Sequence, residues 1–438
     1  MFGDLGLVGT ALVLLAILMA LLAGGLWIGL ALLAVGFAAM TIVANVPIGS
    51  VLATTVWASS ASWTLTALPL FIWMGEILFR TRLSEQMFRG LSPWLQWLPG
   101  RLIHVNVVGC GIFAAVSGSS AATCATIGKI ALPELEKRGY DKGMSLGSLA
   151  GSGTLGLLIP PSIPMVVYAV AANVSVIQVF LAGFIPGAIV MALYSGYIIV
   201  WSLANPEKTP PADPPMTLRE KLAESAQILP CLMLILMIFL SLILGWATAT
   251  ECAAWGVAGA LALAWWSDTL SWATFRDSVL SATRLSGMIM LILSGAAFTT
   301  AAMAYTGIPA ALAAWVENQH LSPYALILAL TVMYIILGCL IDGISMIVLT
   351  TVVVLPMVKQ AGFDLIWFGV YLIILVEMAQ ITPPVGFNLF VLQNMSGRDS
   401  FAVAKAAFPF FILLNVAVVI ITAFPQVVLL LPRMAFAE

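Results

Sequence analysis

Residues 151–162 read GSGTLGLLIPPS, three glycines followed by Pro160-Pro161 in the middle of an apolar run that spans about 144–171. Proline removes an amide donor and clashes with the preceding turn, so carbonyls before the pair lose their helical partners and the run reads as a broken helix. Freed carbonyls suit a hard cation such as Na+. The half-helix beyond the break begins with its amides facing the gap, which suits an anion. Residues 377–388, EMAQITPPVGFN, repeat the device inside a second apolar run, 365–392. One isolated proline would read as a kink repaired by a neighbouring helix. A double proline in both runs reads as a matched pair of breaks.

Around these breaks the chain is too apolar for water. Of its 438 residues 62% are hydrophobic and 8% charged, where a soluble chain carries ~25% charge. At a mean hydropathy of +1.10 and ~20 residues per crossing there is room for ten or more spans. The net charge of -2 implies no nucleic-acid or acidic partner. Cys110, Cys124, Cys231, Cys252 and Cys339 form no CxxC or Cys/His cluster and read as small core residues.

Apolar runs place spans near 5–22 (a retained first span, since no basic region precedes it), 26–43, 65–79, 144–171 and 176–201. After residues 205–225 they resume near 226–244, 250–266, 281–304, 365–392 and 407–430. Five prolines and seven charges within 205–224 cannot lie in hydrocarbon and mark a linker outside the bilayer. Two further stretches, 103–132 and 324–358, are interrupted by Ser117 to Ser120 and by Asp342-Gly343. Read as re-entrant hairpins, they let the ten spans alternate so that one face receives 15 of the 17 cations, including Arg138, Lys142 and Lys221, and the other only Lys359 and Arg433. The positive-inside rule then makes the linker cytoplasmic and both termini periplasmic.

A shift of 223 residues places Pro133, Pro160, Pro161 and Pro186 on Pro356, Pro383, Pro384 and Pro409, Gly139 on Gly362 and Asp141 on Asp364. At a proline frequency of roughly 5% the coincidence is of order one in tens of thousands. With five crossings per copy the second copy is upside down. The expected fold is therefore an all-α polytopic membrane protein of two inverted five-span repeats, 1–204 and 226–438, each with a hairpin and a Pro-Pro-broken helix. That is the build of a secondary transporter.

Each hairpin tip is expected to meet the broken helix of its own repeat and form a Na+ site there. The first draws on Ser117, Ser120 and the carbonyls of Gly151, Ser152, Gly153 and Thr154, the second on Gly338, Asp342, Gln380 and Thr382. Ser119, Pro160, Pro161 and Ser162 in one copy, and Gly343, Ser345, Pro383, Pro384 and Asn388 in the other, are the expected substrate-binding set. Asp342 and Glu377 are the deepest carboxyls and need a partner or cation. Glu76 has Arg80 one turn later as a partner. Glu251, His104 and His320 read as interfacial.

FAAVSGSSAATCATIGKIALPELEKRGYD, GTLGLLIPPSIPMVVYA, FLAGFIPG, LGCLIDGISMIVLT and ITPPVGFNLFVL strongly resemble the large membrane subunit of tripartite ATP-independent periplasmic (TRAP) transporters, the DctM-like family. The resemblance is densest over 113–187 and 337–392. It implies a sodium-driven elevator that imports a small organic acid, such as a C4-dicarboxylate, sugar acid or keto acid, across a bacterial inner membrane. It also implies two partners, a small four-helix membrane subunit, for which 438 residues leave no room here, and a periplasmic substrate-binding protein. The family usually has glycine at Ala379 and a hydrophobic residue at Gln380.

Two other classes compete. A stand-alone dicarboxylate or citrate symporter would share the architecture but need no binding protein. An intramembrane protease is disfavoured, because Ser119 has only His104 on its side, ~20 Å away along a helix, and Asp342 has no second aspartate at its depth. No GxxxxGK[ST] loop points to ATP coupling. The chain is expected not to be an enzyme.

Overall fold

A computed structural model of the chain describes residues 6–43, 47–211, 213–214, 216–318, 322–384 and 386–436, and every regular element among them is helical. The chain opens with α1 (Leu7–Ala23), α2 (Ile28–Val43) and α3 (Ile48–Ser60). A 3-10 turn (Trp63–Thr66) then leads into α4 (Ala67–Phe79) and the amphipathic α5 (Leu83–Leu95). Two antiparallel-length segments follow, α6 (Ile103–Ser117) and α7 (Ser120–Lys137), then α8 (Lys142–Leu158), α9 (Ile163–Ala172) and the long α10 (Val176–Ala204). Beyond the linker's α11 (Leu218–Ser225) come α12 (Leu229–Ile243), α13 (Ala249–Trp266), α14 (Trp272–Thr306) and α15 (Ile308–Asn318). The chain continues through α16 (Pro323–Gly338), α17 (Gly343–Gln360), α18 (Leu365–Gln380), α19 (Phe387–Ser396), α20 (Ser400–Ala423) and α21 (Gln426–Phe436).

Helix starts recur at the 223-residue shift because the capping residues recur. Ser119 caps α7 by accepting from the Ala122 amide, and Asp342, 223 residues on, caps α17 by accepting from the Ser345 amide at 3.1 Å. Asp141 accepts from the Met144 amide at 2.7 Å, and its counterpart Asp364 from Trp367 at 3.2 Å. Gly139 and Gly362 turn the chain before these caps at φ +79° and +81°, a region that costs a side chain but not glycine. Each such N-cap stabilises its helix by about 1 kcal/mol.

Packing interlocks the two halves. The shift carries α2 onto α13 and α4 onto the second half of α14, and the contacts made are α2 on α14 and α13 on α4. Likewise α7 packs on α19 and α17 on α9, while α8 packs on α20 and α18 on α10. Helices α2, α4, α13 and α14 in particular therefore find their principal partners in the other half of the chain.

Among the described residues four single helices, α10, α14, α17 and α20, are long and apolar enough to cross a membrane, and two bent pairs qualify, α8 with α9 at 42° and α11 with α12 at 62°. Several sequence boundaries shift. The expected span 281–304 lies inside the 35-residue α14, which begins at Trp272 under a Ser271 cap, whereas the first half breaks the equivalent stretch into α3, the turn and α4. The expected span 407–430 divides into α20 and α21, because Pro425 cannot continue the helix. The short helices α3, α5, α11, α15 and α21 went unforeseen.

The linker is held down. Asp213 accepts from Gln96 Nε2 at 2.8 Å and pairs with Arg138, and Trp94 Nε1 donates to Ser225 Oγ at 2.6 Å. Glu76 pairs with Arg80, which also donates to Ser281 at 3.1 Å and so joins α4 to α14. Glu251 closes a capping box with Thr248. His104 is fully buried rather than interfacial, its Nε2 2.8 Å from the Pro99 carbonyl; His320 lies outside the described residues.

Candidate functional site

The first tip is a left-handed turn at Gly118, φ +57°, between α6 and α7. Ser117 and Thr123 hydroxyls bond at 2.5 Å, and Thr123 also donates to the Ser119 carbonyl at 2.8 Å. The Gly118 carbonyl accepts from the Ile163 amide at 3.4 Å, which joins the tip to the half-helix after the first break. Glycines let α8 approach: a Cβ on Gly156 would stand 2.5 Å from the Ser119 carbonyl oxygen, and one on Gly153 2.7 Å from Cys124 Cβ. Ser120 Oγ donates to Asn388 Oδ1 at 2.9 Å, and Asn388 Nδ2 donates to the Ala150 carbonyl at 3.2 Å.

Helix α8 runs to Leu158 before Pro160-Pro161 interrupts it. Gly151 to Thr154 therefore lie in regular helix, where each carbonyl has an amide four residues on, and the Gly151 carbonyl also accepts from Thr154 Oγ1 at 2.7 Å. The carbonyls whose partners the prolines remove are those of Gly156 and Leu157, one turn later. The Ser162 hydroxyl donates to the Leu157 carbonyl. Both proline pairs are joined by cis peptides.

At the second tip Asp342 spends its carboxylate on its own helix, accepting from the Ser345 amide and hydroxyl. Gly338 closes on α18, a Cβ there standing 2.5 Å from Ala379 Cβ, and a Cβ on Gly343 would strike Val376 at 2.2 Å. Thr382 Oγ1 donates to the Met378 carbonyl at 2.6 Å. The carbonyl oxygens of Gln380 and Thr382 converge on Gly386, 2.9 and 3.0 Å from where its Cβ would be. Oxygens of this kind, from carbonyls, hydroxyls and one carboxylate, form the donor set a hard monovalent cation takes. Among the described residues no cluster of His, Cys, Asp or Glu has metal-binding form.

Residues 15–427 match the family model of the tripartite ATP-independent periplasmic transporter, DctM component. The chain belongs to this family. It is 32% identical to the C4-dicarboxylate TRAP transporter large permease protein DctM of Pseudomonas aeruginosa over 87% of this chain and 89% of that protein. It is 29% identical to the sialic acid TRAP transporter permease protein SiaT of Haemophilus influenzae over 85% of this chain and 60% of that longer protein. The fold is that of the Alcanivorax borkumensis YdaH transporter, with a TM-score of 0.62 at 14% identity, covering 91% of this chain and 97% of that one. This is thus a TRAP large permease, a membrane transport subunit and not an enzyme.

Within the permease, Ser117, Ser119, Ser120, Gly153, Pro160, Pro161 and Ser162 gather around the first tip. Gly338, Asp342, Gly343, Ser345 and Gln380 gather around the second, while Thr382, Pro383 and Pro384 lie at the break that follows α18. Ser152 is buried on α8 with its hydroxyl unpartnered. Asn388 departs from its expected place: it is fully buried and serves the first tip from the second half. Thr123, Gly156 and Gly386 were missed, although the glycine of PPVG was a visible signal.

Proposed function

We propose that the permease couples the entry of Na+ at the two breaks to import of a small organic acid across a bacterial inner membrane by an elevator movement. The halves 1–204 and 226–438 act as inverted repeats, the linker is cytoplasmic and both termini are periplasmic. The observation that carries the reading is the meeting of each tip with the broken helix of its own half: the Gly118 carbonyl accepts from Ile163 beyond the first break, and Gly338 and Gly343 close on Ala379 and Val376 just before the second.

The first site comprises Ser117, Ser120 and the carbonyls of Gly156 and Leu157, which lose their helical amides to the prolines, Leu157 retaining the Ser162 hydroxyl as a partner. The second comprises Gly338, Asp342, Gln380 and Thr382. The half-helices α9 and α19 begin at the breaks and offer amides to the anionic substrate. A cavity of about 580 Å³ separates α9 and α17 from α3 and α14, with Ser59, Asn173, Thr300 and Thr351 on its walls. Such a gap between the break-bearing helices and the outer frame supports displacement of one against the other.

C4-dicarboxylates and sialic acid, named for the relatives, set the substrate class. The partners are a small membrane subunit and a periplasmic binding protein. In proteoliposomes, uptake is expected only with Na+ and both partners present. Robust uptake by the lone chain would turn the reading to a stand-alone symporter, and uptake unchanged without Na+ would refute sodium coupling.

A further inference from the structure

Glu377 lies in the last turn of α18, fully buried, and neither carboxyl oxygen has a partner at hydrogen-bond geometry. The polar groups beside it are the Leu158 backbone, at the end of α8, and Tyr194 of α10. It therefore stands between the two breaks. Leu158 directly precedes Ile159-Pro160, and Gln380 follows Glu377 by three residues, ~4.5 Å of helix rise. With only the Leu158 backbone and the Tyr194 hydroxyl as its described polar neighbours, the carboxyl lacks the several oxygen ligands that Na+ takes. An ionised carboxylate with no partner is too costly at such a site, so in the cation-free protein a proton must neutralise it.

No other charge serves. On the helices packed against α18, Lys142, Lys359, Lys405 and Arg433 are exposed. Asp342 is engaged with Ser345. The hydroxyls of Tyr168, Tyr334 and Tyr371 are bound to Leu365, Thr350 and Thr331, Tyr197 is half-buried against Phe410, and Tyr194 leans on Thr154 at 3.5 Å. Cys339, at the end of α16, bonds to the Ile335 carbonyl. Among the described residues, Tyr194 is the titratable side chain beside Glu377.

We propose that Glu377 is a proton-binding site linked to the two cation sites, protonated when they are empty and ionised when Na+ fills them. On Na+ entry the carboxyl O–H bond breaks, its electron pair stays on the carboxylate and the proton leaves to water. Each full cycle would then exchange a proton for part of the sodium charge. The inference rests on the sodium reading above.

Purified permease in nanodiscs, in weak buffer with a pH dye, is given NaCl or choline chloride, and Na+ half-saturation is read from tryptophan fluorescence at several pH values. Wild type should release protons with Na+ and not with choline. Its half-saturation should weaken by up to about tenfold per pH unit on the acid side, the limit for one-for-one exchange. Glu377→Gln, which mimics the protonated group, should bind Na+ more weakly than wild type does at alkaline pH, without proton release and with a flat pH profile. Wild type that binds Na+ with no release and no pH dependence overturns the proposal and leaves sodium coupling standing, a result independent of whether the variant folds. Release that persists in Glu377→Gln also overturns it. Failure of wild type to bind Na+ at any pH removes the sodium reading, and this inference with it.

Discussion

The Ser120 hydroxyl donates to Asn388 Oδ1 at 2.9 Å across 268 residues of chain. Because Asn388 also donates to the Ala150 carbonyl, one side chain on α19 ties α7 to α8. The bond fixes the direction of the Ser120 hydroxyl at the tip.

Asn388→Ala should be worse than Ser120→Ala. It strands a buried hydroxyl and a buried carbonyl, at about 1–3 kcal/mol each, whereas Ser120→Ala strands only the amide oxygen. Thermal unfolding of the two variants and the double variant should give a coupling energy of about 0.5–3 kcal/mol. Additive losses would mean that the bond contributes nothing.

Gly153→Val should abolish Na+-dependent uptake where Ser120→Ala only reduces it. The new side chain would drive into Cys124 Cβ and the Asn388 amide, and overpacking of this kind costs about 1–3 kcal/mol or more. Gly196→Ala on α10, where a Cβ meets nothing within 4 Å, is the matched control and should transport normally.

The observed capping role of Asp342 and its proposed cation role can be separated. Asp342→Asn keeps the α17 cap, since Asn and Asp cap equally well, and removes the charge. Uptake titrated with Na+ should show weakened half-saturation at unchanged thermal stability, whereas Asp342→Ala should lose about 1 kcal/mol of stability as well. A normal Na+ titration for Asp342→Asn would take this carboxylate out of the second site.

Single cysteines in a cysteine-free background should place Arg138, with its ion-pair partner Asp213, on the cytoplasmic face and Gly362 on the periplasmic face. The asymmetry of cations motivates the assignment. Labelling of Arg138 and Gly362 from the same side would exclude inversion of the repeats.

Much of the architecture was legible because its causes are local. A proline has no amide wherever it falls, so Pro160-Pro161 and Pro383-Pro384 announce broken helices. Ser119, Asp141, Asp342 and Asp364 announce helix starts because an N-cap acts on amides two or three residues away. Even so, free carbonyls were expected at Gly151–Thr154, where the structure keeps regular helix: the glycines there serve packing, and the loss of helical partners begins only four residues before each proline.

By itself the sequence determined that the chain is a helical membrane protein, where its helices break and which residues stand at the tips, all consequences of composition and short-range chemistry. Only the tertiary structure decided that α7 meets α19 and α17 meets α9, that Asn388 serves the tip of the opposite half, and that Glu377 lies against Leu158 between the two breaks. Those contacts join residues more than 170 positions apart. They depend on how whole helices pack, and glycines such as Gly153 and Gly156 disclose that something comes close without disclosing what.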